Sequence, residues 1–493
     1  MNASSWRAYL LLLTLPWLLA CGDGAPPPQS EPSALSGQRP NIVMVVLCSL
    51  RVDHTGFGGY DRPTTPFLDR LAAEGVVFEN AFSASSWTKP SATSLFTGLT
   101  PNVHQLVDPY PIQEILAGQG APPKVLPDSV VTLAETLKGA GYDTGCRVNN
   151  VNAGDFFNLT QGCDDNLTQH RRPATQMVDD LAAMLERRDT TPGATDKPFF
   201  FLLFALDAHV PYSPTHEDFL RFHRGEETVD ADEFIAWRKS INQRANRAVA
   251  DSQEAMSPEL TEALQQAYVD LYDASVFGLD RQLARLPEVL EAAGVADDTL
   301  IVVTADHGES FFEPGRQGHA LTTHGYDLAE ALIRIPMVFH WPALDAGRRA
   351  EPVVRSIDLY PTLVDLAGAE APTLLQGESL VPLLTDFDRA LQPDVRSRTA
   401  FASRAAGKHH ALHDGRHKLQ LRTPDHVSLF DTLEDPHEVN DLHAAEGALT
   451  RRLKKQLQDW LEEEEALAAI VGEVGNRDLT PEMIEQLKSL GYL

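Results

Sequence analysis

Three stretches of the chain are apolar at nearly every position: Asn41 to Leu47, Phe199 to Leu206 and Thr299 to Thr304. They are rich in Val, Ile, Leu and Phe and lack the in-out alternation of a half-exposed strand, which predicts parallel strands covered on both faces. Between them the apolar positions take the spacing of amphipathic helices, over Pro66 to Glu74, Ser129 to Ala140, Met177 to Arg187 and a long segment from Leu260 to Ala293. This alternation predicts an α/β fold with a mostly parallel, doubly wound sheet. After Pro393 the texture changes to short alternating pieces, Thr399 to Ser403, His409 to His413, Lys418 to Arg422 and Val427 to Phe430, with Gly, Asp and Pro between them. These predict a small antiparallel sheet, closed by a charged helix from Glu446 to Leu467. The pattern divides the body of the chain into a main domain, 39–390, and a C-terminal α+β subdomain, 391–493.

The first residues follow another rule. Arg7 precedes an apolar run from Ala8 to Ala20, broken only by Thr14 and Pro16, and Cys21 follows. The run is too short to span a bilayer as a mature helix. Leu18-Leu19-Ala20-Cys21 resembles the lipobox of bacterial lipoproteins, so residues 1–20 are expected to be a signal peptide and 21–38, rich in Pro, Gly, Ser and Ala, a flexible tether behind a lipid-modified Cys21. The expected location is the cell envelope, as a periplasmic or outer-membrane lipoprotein. A net charge of −29 opposes nucleic acid and anionic membrane surfaces, so an anionic ligand requires a local metal or basic pocket. Without Cys21 three cysteines remain, Cys48, Cys146 and Cys163, which allows at most one disulfide.

In a doubly wound sheet the ligand lies beyond the carboxyl ends of the strands. The residues just after the three apolar runs are Cys48-Ser49, Asp207-Ala208-His209 and Asp306-His307. Thr88 belongs to a further segment, Ser86 to Gly98, with Pro90 near its start and Gly98 at its stop, which reads as a helix. A hydroxyl at a helix N-terminus is either an N-cap or, beside a metal, a nucleophile facing an anion. Asp306 and His307 offer oxygen and imidazole ligands suited to Ca, Mg, Mn or Zn.

The motifs are specific enough to resemble a family. Thr88, Pro90, Ser91, Leu95, Thr97 and Gly98 fall on the Cys/Ser-x-Pro-Ser-Arg and Leu-x-Thr-Gly pattern of sulfatases of the alkaline-phosphatase superfamily, and Thr304 to Glu309 matches their second metal-ligand string. His324-Gly325 with Arg334-Ile335-Pro336, Asp207 to Tyr212, Leu429 to Pro436 and the terminal Leu490-Gly491-Tyr492 also follow the family pattern. The resemblance implies that Thr88 is the nucleophile, that His209 acts as an acid or anion contact, and that His324 binds the substrate's anionic group. It also implies that Asp306, His307 and Thr88 hold a divalent metal, Ca, Mg, Mn or Zn.

Five positions depart from the family. Thr88 replaces the residue that becomes formylglycine, Ala92 replaces an arginine, and Cys48 stands where relatives carry a metal-binding aspartate. The usual Lys-x-x-His pair is absent after Gly141 to Thr144, where Arg147 and Asn149 stand instead and are taken as substrate-binding. Cys48 has three readings: a thiolate ligand to a softer metal such as Zn, a disulfide partner of Cys146, or the mark of a decayed site. The resemblance therefore implies a metal-dependent hydrolase of sulfate or phosphate esters, acting on a small anionic ester or on a sulfated or phosphorylated glycan or lipid head group. The alternatives are a phosphodiesterase or head-group transferase, and a catalytically silent binding lipoprotein.

Cys21→Ser should abolish lipid modification, and globomycin should stall processing of the parent chain. Metabolic labelling with a fatty acid and fractionation of membranes check this; a Cys21→Ser chain processed and retained in membranes like its parent overturns the lipobox reading.

Overall fold

The computed structural model describes residues 35, 37–107, 121–225, 229–250, 262–311, 327–404, 409–422, 426–472 and 474–489. In chain order the first strands are β1 (Asn41–Leu47), β2 (Val76–Phe82), β3 (Lys124–Val125), β4 (Asp143–Val148), β5 (Asp165–Thr168), β6 (Phe199–Ala205), β7 (Thr299–Thr304), β8 (Met337–His340) and β9 (Arg348–Arg355). Eight of these form one sheet in the order β5-β4-β6-β1-β7-β8-β2-β9. All its pairings are parallel except the two that β8 makes. The three apolar runs thus become the adjacent central strands β6, β1 and β7. Every residue of β6 and β7 is buried, which requires helices on both faces. Pro66–Ala73, Ala174–Thr190 and Glu262–Leu283 pack together in one layer, and Thr88–Thr97, Leu133–Gly139 and Leu359–Leu366 in the other.

Local chemistry moves some boundaries from those expected. The helix expected from Ser129 begins at Leu133, because Thr132 accepts from the Glu135 amide while the Glu135 carboxylate accepts from the Thr132 amide, a reciprocal cap. The long segment ending at Ala293 splits into Glu262–Leu283 and Leu286–Ala292. Pro287 has no N–H to continue the first helix and sits comfortably in the first turn of the second. A disulfide joins Cys146 on β4 to Cys163, with Cα atoms 5.9 Å apart, and this corrects the reading that paired Cys146 with Cys48. Cys163 precedes β5, the parallel neighbour of β4, so the pairing of the strands brings these two cysteines into reach. Cys48 is buried and free.

The C-terminal sheet is an antiparallel meander of β10 (Ala400–Arg404), β11 (His409–His413), β12 (His417–Arg422) and β13 (His426–Asp431); β14 (Gly475–Asn476) pairs with β3 instead. Leu412, Leu419, Leu421 and Leu429 bury one face of it against Leu453 and Leu457 of the helix Gly447–Val471. Its edge strand grips the main domain just ahead of Thr88. The Ser403 amide donates to the Ala84 carbonyl at 3.0 Å, and the Ser85 hydroxyl to the Ser403 carbonyl at 2.8 Å. Among the described residues no helix is long and apolar enough to cross a membrane.

The same helix buries Glu464, whose carboxylate accepts from the Thr100 hydroxyl and from Gln376 Nε2. Burial raises its pKa to about 7. A carboxyl whose pKa is higher folded than unfolded stabilises the fold at low pH and loses that contribution as pH rises toward 7. Glu464→Gln should therefore flatten the fall in melting temperature between pH 5 and pH 8, and be more stable than the parent at pH 8 by on the order of 1–2 kcal/mol. Thermal denaturation at both pH values checks it; parallel pH profiles would mean that the carboxyl ionises without cost where it lies.

Candidate active site

Strand register decides which side chains meet. Val46 is paired with Thr304 in the β1/β7 ladder, so two residues further on Cys48 stands beside Asp306, their Sγ and Oδ2 atoms 3.5 Å apart. Asp306 is fully buried. Its Oδ1 accepts the amides of Ser49 at 3.2 Å and His307 at 2.9 Å. Ser49 turns its amide there by adopting a left-handed conformation, φ 64°, a costly state for a residue with a Cβ. Its carbonyl is held by the buried Tyr272 hydroxyl at 2.9 Å, which also accepts the Arg51 amide. On the far side of the cluster the Ser83 hydroxyl donates to the Asp306 carbonyl.

Thr88 opens the helix Thr88–Thr97, all ten residues of which are buried. A helix carrying this many hydroxyls can be buried because they bond within it: Ser91 to the Trp87 carbonyl, Thr93 to Lys89 and Thr97 to Thr93, each at 2.6–2.7 Å. Gly98 ends it in the left-handed conformation, φ 66°. The cap is Trp87, extended and without a side-chain hydrogen bond, so Thr88 is the first helical residue and its hydroxyl is not engaged in capping. That hydroxyl lies 3.2 Å from His307 Nε2 and 3.6 Å from Cys48 Sγ, and accepts from Asn150 Nδ2 at 3.2 Å.

The donor polarity is self-consistent. His307 Nδ1 is 2.7 Å from the Gly308 carbonyl, which can only accept, so Nδ1 carries the proton and Nε2 turns a lone pair into the cluster. Thr88 can then donate to Nε2 while Asn150 donates to Thr88. Gly308 permits this turn, since a Cβ there would fall 1.9 Å from the Ala331 carbonyl oxygen. Cys48 donates to Asp306; burial, and then the Asp306 charge, push its thiol well above the usual range.

Cys48, Asp306 and His307 each offer a ligand atom, all within 4.8 Å of one another and buried. His307 Nε2 and Asp306 Oδ2, two acceptors, face each other at 3.3 Å, an arrangement that a shared cation relieves. The donor set fits a divalent metal. Its sulfur and nitrogen suit the tetrahedral preference of Zn better than the six to eight oxygens that Ca requires.

The structure thus brings Thr88, Cys48, Asp306 and His307 together. His209 lies in the turn after β6, buried, its Nδ1 against the Val210 carbonyl. Arg147 and Asn149 point elsewhere. Arg147 pairs with Asp165 and Asp180, and Asn149 donates to the Arg172 carbonyl and to Asp207, ties that fasten β4 to its neighbours. Their neighbour Asn150, two residues beyond β4, reaches the cluster through its Nδ2, and its Oδ1 accepts from the Asn152 amide. A one-residue step along an extended chain changes the direction of the side chain, so Asn149 and Asn150 face different partners. His324 and Cys21 lie outside the described residues.

The architecture, with a trio of possible cation ligands and a hydroxyl at the strand ends, is an alkaline-phosphatase-like fold. A profile of the sulfatase family matches residues 40–369, and a profile named for the C-terminal part of N-sulphoglucosamine sulphohydrolase matches residues 326–466. The chain belongs to the sulfatase family, whose members are sulfuric ester hydrolases. It is 24% identical over 529 aligned positions to an N-acetylglucosamine-6-O-sulfatase of Bacteroides thetaiotaomicron, covering 92% of this chain and 90% of that one. It is 26% identical over 472 to human arylsulfatase A, covering 92% and 87%. Among solved structures, a protein in complex with its substrate D-glucosamine-2-N,6-O-disulfate shares the fold with a TM-score of 0.67 and 20% identity, over 87% of this chain and 98% of that chain. A phosphonate monoester hydrolase of Agrobacterium radiobacter shares it with a TM-score of 0.65 and 20% identity, over 86% and 96%.

Cys48→Asp would set a second carboxylate beside Asp306. Without a cation the two like charges should lower the melting temperature; with Mn, Mg or Ca they should give a rise of several degrees that the parent does not show, since saturation at 100 times Kd adds about 2.7 kcal/mol. Thermal melts in chelator and in each metal measure both effects. Identical responses from parent and variant would mean that position 48 takes no part in metal binding.

Proposed function

We propose that this protein hydrolyses sulfate esters on a sugar, with the Thr88 oxygen as nucleophile and a divalent cation held by Cys48, Asp306 and His307. The carrying observation is the position of the Thr88 hydroxyl, at the N-terminus of a buried helix and between the His307 lone pair and the Asn150 amide, 3.2 Å from each. Helix N-termini attract anions through their free amides and dipole. A bound cation would supply positive charge against that developing on the transferring group, and the mixed sulfur, oxygen and nitrogen donors favour Zn. The sugar is supported by the relatives, since one acts on N-acetylglucosamine sulfate and one structural neighbour holds a glucosamine disulfate.

In this reading the Thr88 hydroxyl releases its proton to water, the Oγ–S bond forms as the S–O bond to the sugar breaks, and the sugar oxygen takes a proton from the His209 imidazolium. Water then attacks sulfur as the S–Oγ bond breaks; one of its protons restores the Thr88 hydroxyl, the other returns to His209, and sulfate leaves. Asn150 orients the Thr88 oxygen, the His307–Gly308 bond keeps the imidazole lone pair aimed inward, and His324 contacts the sulfate. Thr88 is also the observation that favours a second reading, phosphoryl esters, because a threonine cannot become the formylglycine of other sulfatases and attacks as a plain hydroxyl. The leader resembling a lipobox supports a place for the enzyme in the cell envelope, anchored through Cys21.

Thr88→Ala should lower kcat/KM on a panel of aryl and sugar sulfates, phosphate monoesters and diesters by on the order of 10³-fold or more. The stability loss should be only about 1 kcal/mol, from its hydrogen bonds. Thr88→Ser should be milder. Steady-state kinetics with a parallel melt check this; full activity in Thr88→Ala would assign the attack to water.

A further inference from the structure

Beyond the strand-end cluster, the described residues line a second concavity, formed where the helix Gly447–Val471 crosses the C-terminal sheet. An open cleft of about 590 Å³ has Phe401 and Trp460 on its walls together with Arg451, Arg452, Lys455 and Gln456, and with the acids Asp459 and Glu463 toward its other end. The two aromatic rings are stacked, 4.5 Å between centroids and 8° from parallel. A smaller cavity of about 280 Å³ shares Phe401 and Trp460 with it and runs inward to Arg355 and Ala84. Ala84 is four residues before Thr88, a separation that an extended chain covers in at most about 14 Å. The groove therefore leads from the C-terminal helix to the segment that carries the nucleophile.

The charge of one end of it departs from that of the rest of the molecule. The chain carries −29 overall, yet Arg451-Arg452-Leu453-Lys454-Lys455 places four cations in five residues, while the acids of the groove, Asp459, Glu463 and Glu464, lie further along the same helix. These cations are not consumed by the fold. Arg451 has no ion-pair partner among the described residues, Arg452 reaches Asp414 only at 3.9 Å with its side chain 65% exposed, and Lys455 pairs with the exposed Asp459 one turn along. Exposed pairs of this kind contribute little to stability, so stability does not account for the cluster. On an acidic protein, a local patch of guanidinium and ammonium groups beside aromatic rings concentrates an anion that also has an apolar face.

We infer that this groove binds a sulfated oligosaccharide chain, with pyranose rings against Phe401 and Trp460 and sulfate groups on Arg451 and Arg452. A pyranose presents C–H groups on its face and hydroxyls on its rim, so aromatic rings suit the face, while Gln456 and Thr399 can bond the rim. The ligand class rests on the sulfated-sugar reading above. The site does not, because it lies on another element and holds none of the residues of the strand-end cluster. Its effect is to keep a polymer attached near Thr88 while one ester is presented.

The test is the affinity of the purified protein for a heparin-derived octasaccharide in 150 mM salt, by calorimetry and by quenching of tryptophan fluorescence. Arg451→Glu with Arg452→Glu, both on exposed positions that the fold does not need, should weaken binding by at least tenfold. Trp460→Leu should do the same and remove most of the quenching, and the desulfated octasaccharide should bind the parent at least tenfold more weakly. Unchanged affinity in the double arginine variant overturns the inference. So does a single-stranded DNA of equal charge that binds as tightly as the octasaccharide and is insensitive to Trp460→Leu, since that describes a general anion patch. The catalytic reading fails separately, on the ester panel: a protein that hydrolyses nothing yet binds the octasaccharide through Arg451, Arg452 and Trp460 keeps this site and loses that activity.

Discussion

The structure is organised around one buried charge. The Asp306 carboxylate has no contact with solvent and stands at the end of a strand flanked by strands on both sides. A carboxylate in such a place is tolerated only if each oxygen is met by a donor or a cation. Two backbone amides, from Ser49 and His307, meet one oxygen, and the Cys48 thiol meets the other. Satisfying it constrains much around it. Ser49 adopts a left-handed conformation, Tyr272 holds the Ser49 carbonyl, and Gly308 lets the following turn pack against residues 331–332 without a clash.

The Thr88 helix solves a related problem. Thr88 lies at the start of a helix that is buried along its whole length, whereas an ordinary amphipathic helix has a polar face that prefers water. Here serine and threonine hydroxyls return to carbonyls of the preceding turn, so the helix is polar in composition and self-satisfied in bonding. Its entry is fixed from outside: Ser83 bonds the Asp306 carbonyl, and Ala84 and Ser85 bond Ser403 of the small sheet. The C-terminal sheet is thereby part of what positions the Thr88 hydroxyl, and not only a cover.

What was legible in the sequence follows from the same physics. The three central strands announce themselves because strands buried on both faces are apolar at every position, and the residues after them, Cys48 and Asp306, did converge. Val76–Phe82 and Asp143–Val148 interrupt their apolar residues with Glu79, Asn80, Asp143 and Arg147, so composition hides them. Asn150 was invisible for a different reason. Which of two adjacent asparagines faces a cluster depends on where β4 ends and how its backbone turns, information that resides in the ladder with β6. The partnering of Cys146 with Cys163 likewise depends on β5 lying beside β4, a long-range fact that residue types do not carry.

Cys48 shows how one substitution alters the character of the site. Where the family resemblance places a second carboxylate, two like charges would face each other in a dry pocket, and only a bound cation would hold them together. The thiol removes one of those charges. It stays protonated in the absence of metal, donates to Asp306, and accepts from Asn150, so the cluster is closed by hydrogen bonds among its own members. A hard cation entering such a site would meet one carboxylate instead of two, with less negative charge to offset its dehydration. A metal that binds a thiolate must first displace that proton, which ties binding at this centre to pH and favours a cation soft enough to hold sulfur.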